Sequence, residues 1–262
     1  MKIFTWNVNS IRIRQKQLIQ LIAEEKPDVI CLQETKSTNN DFPKKNFEDL
    51  GYYVYLNGMP SYNGVAILSK YKAEQISQKN FCGKKDSRHI EIIFKDIRFH
   101  SIYVPAGGDI PDPKKNEKFN HKLNFLDEMK NFFFNKDTNI LAGDLNIAPY
   151  EDDVWSHKQL SNVVSHTEIE RKKLVDVLKH CEFIDTTRKF ISSPDNLFTW
   201  WSYRSPNFLV NNRGRRLDHI WINNPKKMEF KNAKIFNKYR ELEKPSDHVP
   251  VSFEINVKLI RN

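Results

Sequence analysis

The sequence has few cysteines and no long apolar run. Its three cysteines, Cys31, Cys82 and Cys181, are widely spaced and form no Cys-x-x-Cys pair, which argues against a disulfide framework and against a zinc site. Cys31 lies inside an apolar run and is predicted to be a buried thiol, as expected in a reducing compartment. The chain shows neither the apolar segment of a signal peptide nor a stretch long enough to cross a bilayer. We therefore expect a cytoplasmic protein with no membrane contact.

The chain is basic: 42 Lys and Arg residues against 33 Asp and Glu residues give a formal net charge of +9 and a pI of about 9.3. This balance favours polyanionic partners, nucleic acid first and acidic membranes second. A lysine-rich solvated surface explains the same balance, so bulk charge alone is weak evidence. The length suits one large domain or two small ones. Because no linker or shift in composition divides the chain, a single domain over residues 1–262 is predicted.

Short apolar runs alternate with amphipathic segments along the chain. Strands are predicted at residues 3–6, 29–32, 52–56, 65–68, 89–94 and 97–104, in the run ending at 144, and at 198–203, 217–222, 228–236 and 249–259. Helices are predicted at residues 15–25, 114–134 and 168–180, and a polar loop at 148–167. Many strands with helices interspersed favour one α/β domain in which two sheets pack together with helices outside.

The stretch from Ile140 to Asn146 places polar groups at the end of a buried strand. Gly143 lets the backbone turn or approach another group closely. Asp144 and Asn146 follow at a spacing of two, so that they share one face if the strand geometry continues. A strand that ends in an Asx-type turn explains the same residues. Taken alone, the stretch favours the turn; the recurrence of the pattern elsewhere in the chain favours a site.

Polar residues recur where predicted strands begin or end. They are Asn7, Glu34, Tyr103, Asp144, Asn146, Asp218, Asp247 and His248. Carboxylates beside apolar sequence require cations, and oxygen ligands suit Mg²⁺ or Mn²⁺. Asp218 offers an acid that orients the His248 imidazole and keeps it charged, and an imidazolium stabilises negative charge on a phosphate. From this chemistry, metal-assisted phosphoryl hydrolysis and a purely structural role are about equally supported.

The order of these motifs resembles the exonuclease III family of AP endonucleases, within the endonuclease/exonuclease/phosphatase superfamily. The motifs are Trp6-Asn7-Val8-Asn9-Ser10-Ile11-Arg12, Leu32-Gln33-Glu34-Thr35-Lys36, Tyr62-Asn63-Gly64-Val65-Ala66-Ile67, Tyr103-Val104-Pro105, Gly143-Asp144-Leu145-Asn146, Arg216-Leu217-Asp218 and Ser246-Asp247-His248-Val249-Pro250. The likeness runs from the first predicted strand to the last. It implies a DNase I-like, four-layer α/β sandwich of two mixed sheets.

The resemblance also implies a magnesium-dependent mechanism. Glu34 corresponds to the principal Mg²⁺ ligand, with Asn7 beside it and Asp247 able to contribute. Asp144 would take the proton from the attacking water. Asn146 would orient that water or hold the phosphate.

Two further residues are expected to contact the scissile phosphate. They are His248, oriented by Asp218, and Tyr103. The leaving group would be the 3′-oxygen on the 5′ side of a lesion, so that a 3′-hydroxyl remains. The implied substrate is double-stranded DNA with abasic sites or blocked 3′ ends, and the implied activities are AP endonuclease, 3′-phosphodiesterase and 3′→5′ exonuclease. Nothing in the sequence demands more than a monomer.

Aromatic residues interleaved with arginines predict a surface that follows phosphates and holds an extruded sugar. The predicted DNA-contacting residues are Trp200, Tyr203, Arg213, Arg215, Arg216 and Arg88. One of the two adjacent tryptophans is expected to be core, and we assign that position to Trp201. For Arg88, a surface charge is nearly as good an explanation.

Departures from the family and alternative functions bear on the activity. Ala106 stands where many relatives have Asn or Gln, and Asn9 where some have Asp, while the lysine-rich residues 107–120 align poorly. These differences leave the balance between exonuclease and AP endonuclease activity open.

A phosphoesterase for inositol phosphates or sphingomyelin is disfavoured by the basic charge and by the absence of an apolar membrane-facing patch. A DNA-binding protein without catalysis is disfavoured because Glu34, Asp144 and His248 are all present.

Overall fold

Two six-stranded sheets form the centre of the structure, a computed structural model that describes residues 1–135, 137–192, 197–205, 207–225 and 228–257. The strands are β1 (Lys2–Asn7), β2 (Val29–Gln33), β3 (Tyr53–Asn57), β4 (Val65–Ser69), β5 (Gln75–Ser77), β6 (His89–Phe94), β7 (Ile97–Tyr103), β8 (Thr138–Asp144), β9 (Ile184–Asp185), β10 (Asp218–Ile222), β11 (Met228–Ile235) and β12 (Val251–Val257). The helices are α1 (Ile11–Glu25), α2 (Lys44–Glu48), α3 (Glu117–Phe133), α4 (His157–Leu160), α5 (Glu168–His180), α6 (Thr186–Phe190) and α7 (Phe208–Asn211). None of the helices in the described ranges has the length and hydropathy needed to cross a membrane.

Both sheets are mixed, and each has a parallel pair near its middle. The first sheet has the order β11-β12-β1-β2-β4-β3 and the second the order β5-β6-β7-β8-β10-β9. Strands β1 and β2 run parallel, as do β7 and β8. Parallel neighbours need a long crossover, which α1 supplies in the first sheet and α3 in the second. The loops that follow the carboxyl ends of β1, β2, β7 and β8 can therefore bring side chains together.

Apolar side chains between the two sheets form the main core. Ile3 and Ile67 of the first sheet belong to one buried cluster with Ile92 and Ile140 of the second sheet. On the outer face of the first sheet, α1 covers a second cluster, and on the outer face of the second sheet α3 and α5 cover a third. The layers are therefore helix, sheet, sheet and helix. This confirms the predicted four-layer sandwich, and Cys31 lies buried in it as a free thiol, also as predicted.

Local capping chemistry explains where the long helices begin. Helix α5 spans the predicted residues, and its first turn is closed by a capping box between Thr167 and Glu170. Helix α3 begins at Glu117, because the Asn116 side chain accepts a hydrogen bond from the amide of Lys118. Helix α1 begins at Ile11, four residues before the predicted start. Ile11 is fully buried, but one apolar anchor in a first turn is too little to show a helical period.

Three predictions of secondary structure need correction. Residues 198–203 form no strand: Trp200 makes only isolated bridges with Arg215 and His248, and Phe198 and Trp201 are buried by side-chain packing. Residues 148–167 are not loop throughout, since they contain α4 and a 3₁₀ turn at Glu151–Asp153. The last strand begins at Val251, and residues 258 and 259 lie outside the described ranges.

Candidate active site

The sheet topology brings the predicted site residues to one end of the two sheets. Asn7 ends β1, Glu34 follows β2, Tyr103 ends β7 and Asp144 ends β8. Asp218 begins β10 directly opposite Asp144 in an antiparallel pair. His248 lies just before β12, which runs antiparallel to β1. The sandwich thus joins residues that are up to 241 positions apart, from Asn7 to His248.

Glu34 has polar partners on both carboxylate oxygens. The Asn7 amide nitrogen donates to Oε1 at 2.8 Å, and the Tyr103 hydroxyl donates to the same oxygen at 2.9 Å. The Lys36 ammonium lies 2.9 Å from Oε2. Although burial favours the neutral acid, Lys36 and the bond from Asn7 outweigh it and lower the pKa of Glu34. Glu34 is therefore an anion whose oxygens are fixed in direction.

Asp144 lies buried between two asparagines. The Asn7 amide nitrogen also donates to Asp144 Oδ2 at 2.9 Å, so this one side chain bridges the two acids. The backbone amide of Asn146 donates to Asp144 Oδ1 at 2.9 Å, and the Asn146 side chain donates to the carbonyl of Val104 at 2.8 Å. Burial raises the pKa of Asp144 to about 7, against the opposing effect of the His248 cation. A carboxylate poised near neutral pH has the pKa that a general base requires.

His248 connects two acids. Its Nδ1 donates to Asp218 Oδ2 at 2.8 Å, and its Nε2 lies 3.6 Å from Asp144 Oδ2. Burial by itself would lower the pKa of His248, but the carboxylates of Asp218 and Asp144 outweigh it and raise the pKa to about 10. The ring is therefore an imidazolium at neutral pH, with Asp218 fixing its orientation. This geometry agrees with the pairing expected from the sequence.

The same residues have the chemistry of a cation site. Ligand atoms of Glu34, Asp144 and His248 all lie within 4.8 Å of one another. A protonated imidazole cannot ligate a metal, so the available donors are the two carboxylates. An all-oxygen donor set of this kind suits a hard divalent cation that retains several waters. Asp247 does not belong to this cluster of described residues.

A second cluster of possible ligands lies inside the second sheet and has a different explanation. Atoms of His89, Glu91 and His100 also lie within 4.8 Å of one another. The amide of Lys79 donates to His89 Nδ1 at 3.0 Å, so His89 carries its proton on Nε2, which lies 3.0 Å from His100 Nδ1. His100 Nε2 in turn lies 3.1 Å from the Asn139 side-chain oxygen. The two neutral rings form a completed hydrogen-bond chain, and a metal would have to displace one of its protons.

The adjacent tryptophans have different surroundings. Trp201 is 2% exposed and packs in the core with Phe198, as predicted. Trp200 is half-buried, and its indole nitrogen donates to Asp247 Oδ2 at 2.9 Å, while the other oxygen of Asp247 accepts from the Asn9 side chain at 2.9 Å. Trp200 is thus held next to His248, with which it forms an isolated bridge. Tyr203 is half exposed nearby, and its hydroxyl donates to the carbonyl of Pro245.

Three of the arginines predicted to contact DNA lie over aromatic rings. Arg213 is exposed, and its guanidinium carbon lies 4.8 Å from the centroid of the Trp155 ring. Arg215 is half-buried over Trp200 and donates to the carbonyl of Val164. Arg88 is partly buried over the ring of Tyr103, at 4.7 Å.

The prediction that Arg216 contacts DNA is corrected by its burial. Arg216 is 1% exposed and pairs with Asp153 at 3.1 Å and with Asp185 at 2.6 Å. Its guanidinium links the turn that precedes α4 to strand β9. A side chain buried in this way does not contact a DNA phosphate. Its role is to pair with the two carboxylates.

Sequence reasoning gave no role to three residues of this region. Lys36 pairs with Glu34, and its position two residues after that acid was a signal that could have been used. Trp155 stacks beneath Arg213, and Lys122 of α3 donates to the carbonyl of Asn146 at 2.8 Å. The last two are distant in sequence from the motifs, so that only the packed structure identifies them.

Comparisons with known proteins agree with the geometry. Residues 4–248 match the Endonuclease/Exonuclease/phosphatase family. The chain is 29% identical to exodeoxyribonuclease III of Haemophilus influenzae over 96% of this chain and 98% of that protein. An AP endonuclease structure from Archaeoglobus fulgidus superposes with a TM-score of 0.90 at 32% identity, covering 98% of this chain and 100% of the other. The 3′ phosphatase NExo from Neisseria, bound to product DNA hairpin, has a TM-score of 0.89 at 28% identity, covering 98% and 99%.

Proposed function

This chain belongs to the Endonuclease/Exonuclease/phosphatase family, and we propose on that basis that it is a DNA repair nuclease. Its expected reaction is hydrolysis of the phosphodiester on the 5′ side of an abasic site. The observation that carries the proposal is the buried Asp144 carboxylate, which accepts from Asn7 and faces the His248 imidazolium at 3.6 Å. The exodeoxyribonuclease III, AP endonuclease and 3′ phosphatase relatives support the same class of reaction.

In the proposed mechanism Asp144 takes the proton of the attacking water. The water oxygen forms a bond to phosphorus while the bond to the 3′-oxygen of the upstream nucleotide breaks. The side chain of Asn146 orients the water or the phosphate. The His248 imidazolium stabilises the charge that develops on the phosphate oxygens. The departing 3′-oxygen takes a proton from solvent. The products are a 3′-hydroxyl and a 5′-phosphate, and no covalent enzyme intermediate forms.

Glu34 is proposed to hold a divalent metal ion, Mg²⁺ or Mn²⁺. When bound, the ion would supply Lewis-acid polarisation of the phosphate. Asn7 fixes the orientation of the Glu34 carboxylate, and Tyr103 donates to it as well. Tyr103 is also proposed to contact the phosphate. We place Asp247 in the surroundings of the ion, because its two oxygens already accept from Asn9 and Trp200.

The proposed DNA surface consists of residues around this site that are exposed or only partly buried. Trp200 and Tyr203 would meet the extruded sugar, while Arg213 and Arg88 would meet phosphates. Arg215 would act from behind Trp200, over whose ring its guanidinium lies at 5.3 Å. A duplex with an abasic site or a blocked 3′ end is the substrate that this surface suits. Further 3′-phosphodiesterase and 3′→5′ exonuclease activities are included in the proposal.

A labelled duplex with one abasic site tests the proposal. It is incubated with the protein plus Mg²⁺, and separately plus EDTA, beside an undamaged duplex as the control. We expect metal-dependent incision immediately 5′ of the lesion. Progressive shortening from 3′ ends without that incision would reassign the protein to exonuclease action alone. If neither DNA is cut, the repair nuclease is rejected and phosphorylated small molecules become the next substrates.

Three broader expectations stay predictions. They are a single domain over residues 1–262, a monomeric state and a cytoplasmic location. Size-exclusion chromatography with light scattering measures the second of these. The expectation of Mn²⁺ as a substitute for Mg²⁺ is tested by the same incision assay.

A further inference from the structure

A lysine ammonium is fully buried behind the candidate active site. Lys122 of α3 has no exposed surface, and its nitrogen has three hydrogen-bond partners. It donates to the carbonyl of Asn146 at 2.8 Å, to the carbonyl of Ala106 at 3.1 Å and to Glu170 Oε1 at 2.5 Å. An ammonium has three donors. All of them are therefore used, and each goes to a different segment of the chain.

Glu170, the partner of this lysine, is equally buried and equally saturated. Its oxygens accept from the amides of Ser165 and Thr167 and from the Thr167 hydroxyl. Burial lowers the pKa of Lys122, while Glu170 opposes the shift. Since a buried ion pair contributes little to stability compared with a well-packed apolar pair, its presence behind a site calls for another explanation.

The two carbonyls held by Lys122 belong to loops of the candidate active site. Ala106 follows Tyr103 after β7, and Asn146 follows Asp144 after β8. Asn146 has a left-handed backbone, with φ of 53°, which is uncommon for a residue other than glycine. Its amide donates to Asp144 and its side chain donates to Val104. Lys122 holds the remaining backbone polar group of this residue, the carbonyl, so that both backbone polar groups of Asn146 are fixed.

We propose that Lys122, with Glu170 as its counter-ion, is a positioning residue for the reaction. The pair fixes the turn that aims the Asn146 side chain at the attacking water or the phosphate. Lys122 touches neither substrate nor metal and acts only through the backbone. The inference rests on the proposed function, because it concerns how Asn146 is positioned for the proposed hydrolysis.

The double variant Lys122→Met/Glu170→Gln replaces the pair by neutral side chains of similar size. Because both charges are removed together, no unpaired charge stays in the core. We expect kcat for abasic-site incision to fall about 10- to 100-fold, since a small misplacement of reacting groups has an effect of that size. KM and the Mg²⁺ titration are expected to change less than about 3-fold. The matched control is Lys130→Met/Asp176→Asn, which removes a 2.9 Å ion pair between the same two helices, α3 and α5, at the surface.

A double-mutant cycle with Asn146→Ala separates positioning from general destabilisation. If the pair acts through Asn146, its replacement is expected to lower kcat less than about 3-fold in the Asn146→Ala background. If the pair only stabilises the fold, the loss of kcat is the same in both backgrounds, and the proposal is rejected. It is also rejected if the double variant keeps the kcat of the parent protein.

Hydrogen exchange gives a readout that does not depend on activity. The amide of Asn146 donates to Asp144 and the amide of Ala148 donates to the carbonyl of Ser165, and both bonds protect against exchange. We expect faster exchange of both amides in the double variant and no change in the surface control. If the parent protein cuts no DNA, the proposed function fails, and exchange then decides the structural part by itself. Unchanged exchange would overturn the assignment of Lys122 to this turn.

A milder variant serves if the double variant does not fold. Glu170→Asp keeps both charges but shortens the carboxylate, which draws the ammonium away from the two carbonyls. We expect a loss of kcat of about 10-fold with the fold intact. A kcat equal to that of the parent protein, in a variant whose Asn146 amide exchanges faster than in the parent, would contradict the proposed link.

Discussion

The residues around Asp144 set both the protonation state and the orientation of its carboxylate. Burial raises the pKa of Asp144 to about 7, while hydrogen bonds from Asn7 and from the Asn146 amide fix its two oxygens. His248 remains positively charged because Asp218 and Asp144 flank it. The local order of charges is therefore acid, imidazolium, acid. A base beside a stationary cation suits the transfer of a proton from water next to a phosphate.

Replacement of Asp144 by asparagine tests its role as the base. A carboxamide would keep the shape of the side chain but could not accept a proton, so we expect Asp144→Asn to lower single-turnover incision about 10²- to 10⁴-fold. Binding to abasic DNA, measured by fluorescence anisotropy, is expected to stay within about 3-fold. Asp137→Asn, at an exposed position just before β8, is the matched control. Turnover near that of the parent protein would remove Asp144 from the base role.

Removal of the Glu34 carboxylate tests the proposed metal site. Glu34→Ala deletes the anion that Asn7 and Tyr103 orient, so the Mg²⁺ concentration at half-maximal activity is expected to rise at least about 10-fold. The Mg²⁺ titration of incision measures it. Glu48→Ala, on an exposed surface of α2, serves as the comparison. A titration curve that superposes on that of the parent protein would place the metal elsewhere.

Elements show where sequence patterns succeed and where they fail. Alternating or continuous apolar runs identified most long strands because each faces a core on one or both sides. The run from Phe198 to Trp201 has the same composition but forms no strand. Phe198 and Trp201 pack with Val249, and the backbone of Thr199–Trp201 bonds to the segments that precede β10 and β12. Helix α4 was missed because a helix of four residues has too few turns to show a period. The sequence pattern thus predicts which segments are buried. Whether a buried segment becomes a strand depends on whether the fold places another strand beside it.

Close approach of two strands explains the glycine before Asp144. A Cβ added at Gly143 would lie 2.0 Å from the carbonyl oxygen of Ile102, which is paired with it across the parallel strands β7 and β8. We expect Gly143→Ala to lower the free energy of unfolding by about 1–3 kcal/mol, because the strands must separate. Urea unfolding followed by circular dichroism measures the change. Ala142→Gly, one residue earlier in β8, controls for altered strand propensity, and a Gly143→Ala midpoint equal to that of the parent would contradict the close contact.

Arginines in the segment before β10 are expected to differ in what they contribute. Arg213→Glu removes an exposed charge, so the slope of log binding constant against log salt should become shallower by about 1. Arg216→Met should leave that slope unchanged and instead destabilise the fold by about 3–5 kcal/mol, because Asp185 loses the guanidinium that pairs with it and Asp153 keeps only Arg188. Salt titrations of DNA binding, with Lys231→Glu on the outer strand β11 as the control, test the distinction. An unchanged slope in Arg213→Glu would move the DNA surface away from this segment.

Over the whole molecule, several histidines are buried in the neutral form. Burial lowers the pKa of His89 well below its ordinary value, that of His100 and His219 to about 3, and that of His166 to about 4. In the unfolded chain these rings take up protons near pH 6.5, to within about a unit. The stability that comes from keeping them neutral is therefore complete above about pH 6.5 and is lost as the pH falls from there to about 4 for His166 and to about 3 for His100 and His219.

The fold is expected to be sensitive to acid, because the pKa values of these histidines are lowered by folding. Each such histidine lowers the free energy of unfolding by about 1.4 kcal/mol per pH unit below about pH 6.5. Asp144 offsets part of the effect, since its raised pKa lets the folded state take up a proton in the same range. We expect the urea midpoint to fall steadily between about pH 7 and about pH 4.5, and His219→Asn to reduce that slope while the exposed His180→Asn does not. A midpoint independent of pH would show that these rings are accessible to protons in the folded state.

Two packed sheets with helices outside could be predicted from the chain alone, because the order of apolar and amphipathic runs is a local property. The four-layer architecture and the reaction were expected from the resemblance of the motifs to a known family. Glu34, Asp144, Asp218 and His248 were named without coordinates. Only the folded molecule showed that Arg216 is a buried counter-ion, that Trp200 is held by Asp247, and that Lys122 donates to the turn at Asn146. Such assignments depend on contacts between segments far apart in the chain. The free energy of burying a charged side chain or an indole depends on the hydrogen-bond and ion-pair partners that only the folded structure brings next to it.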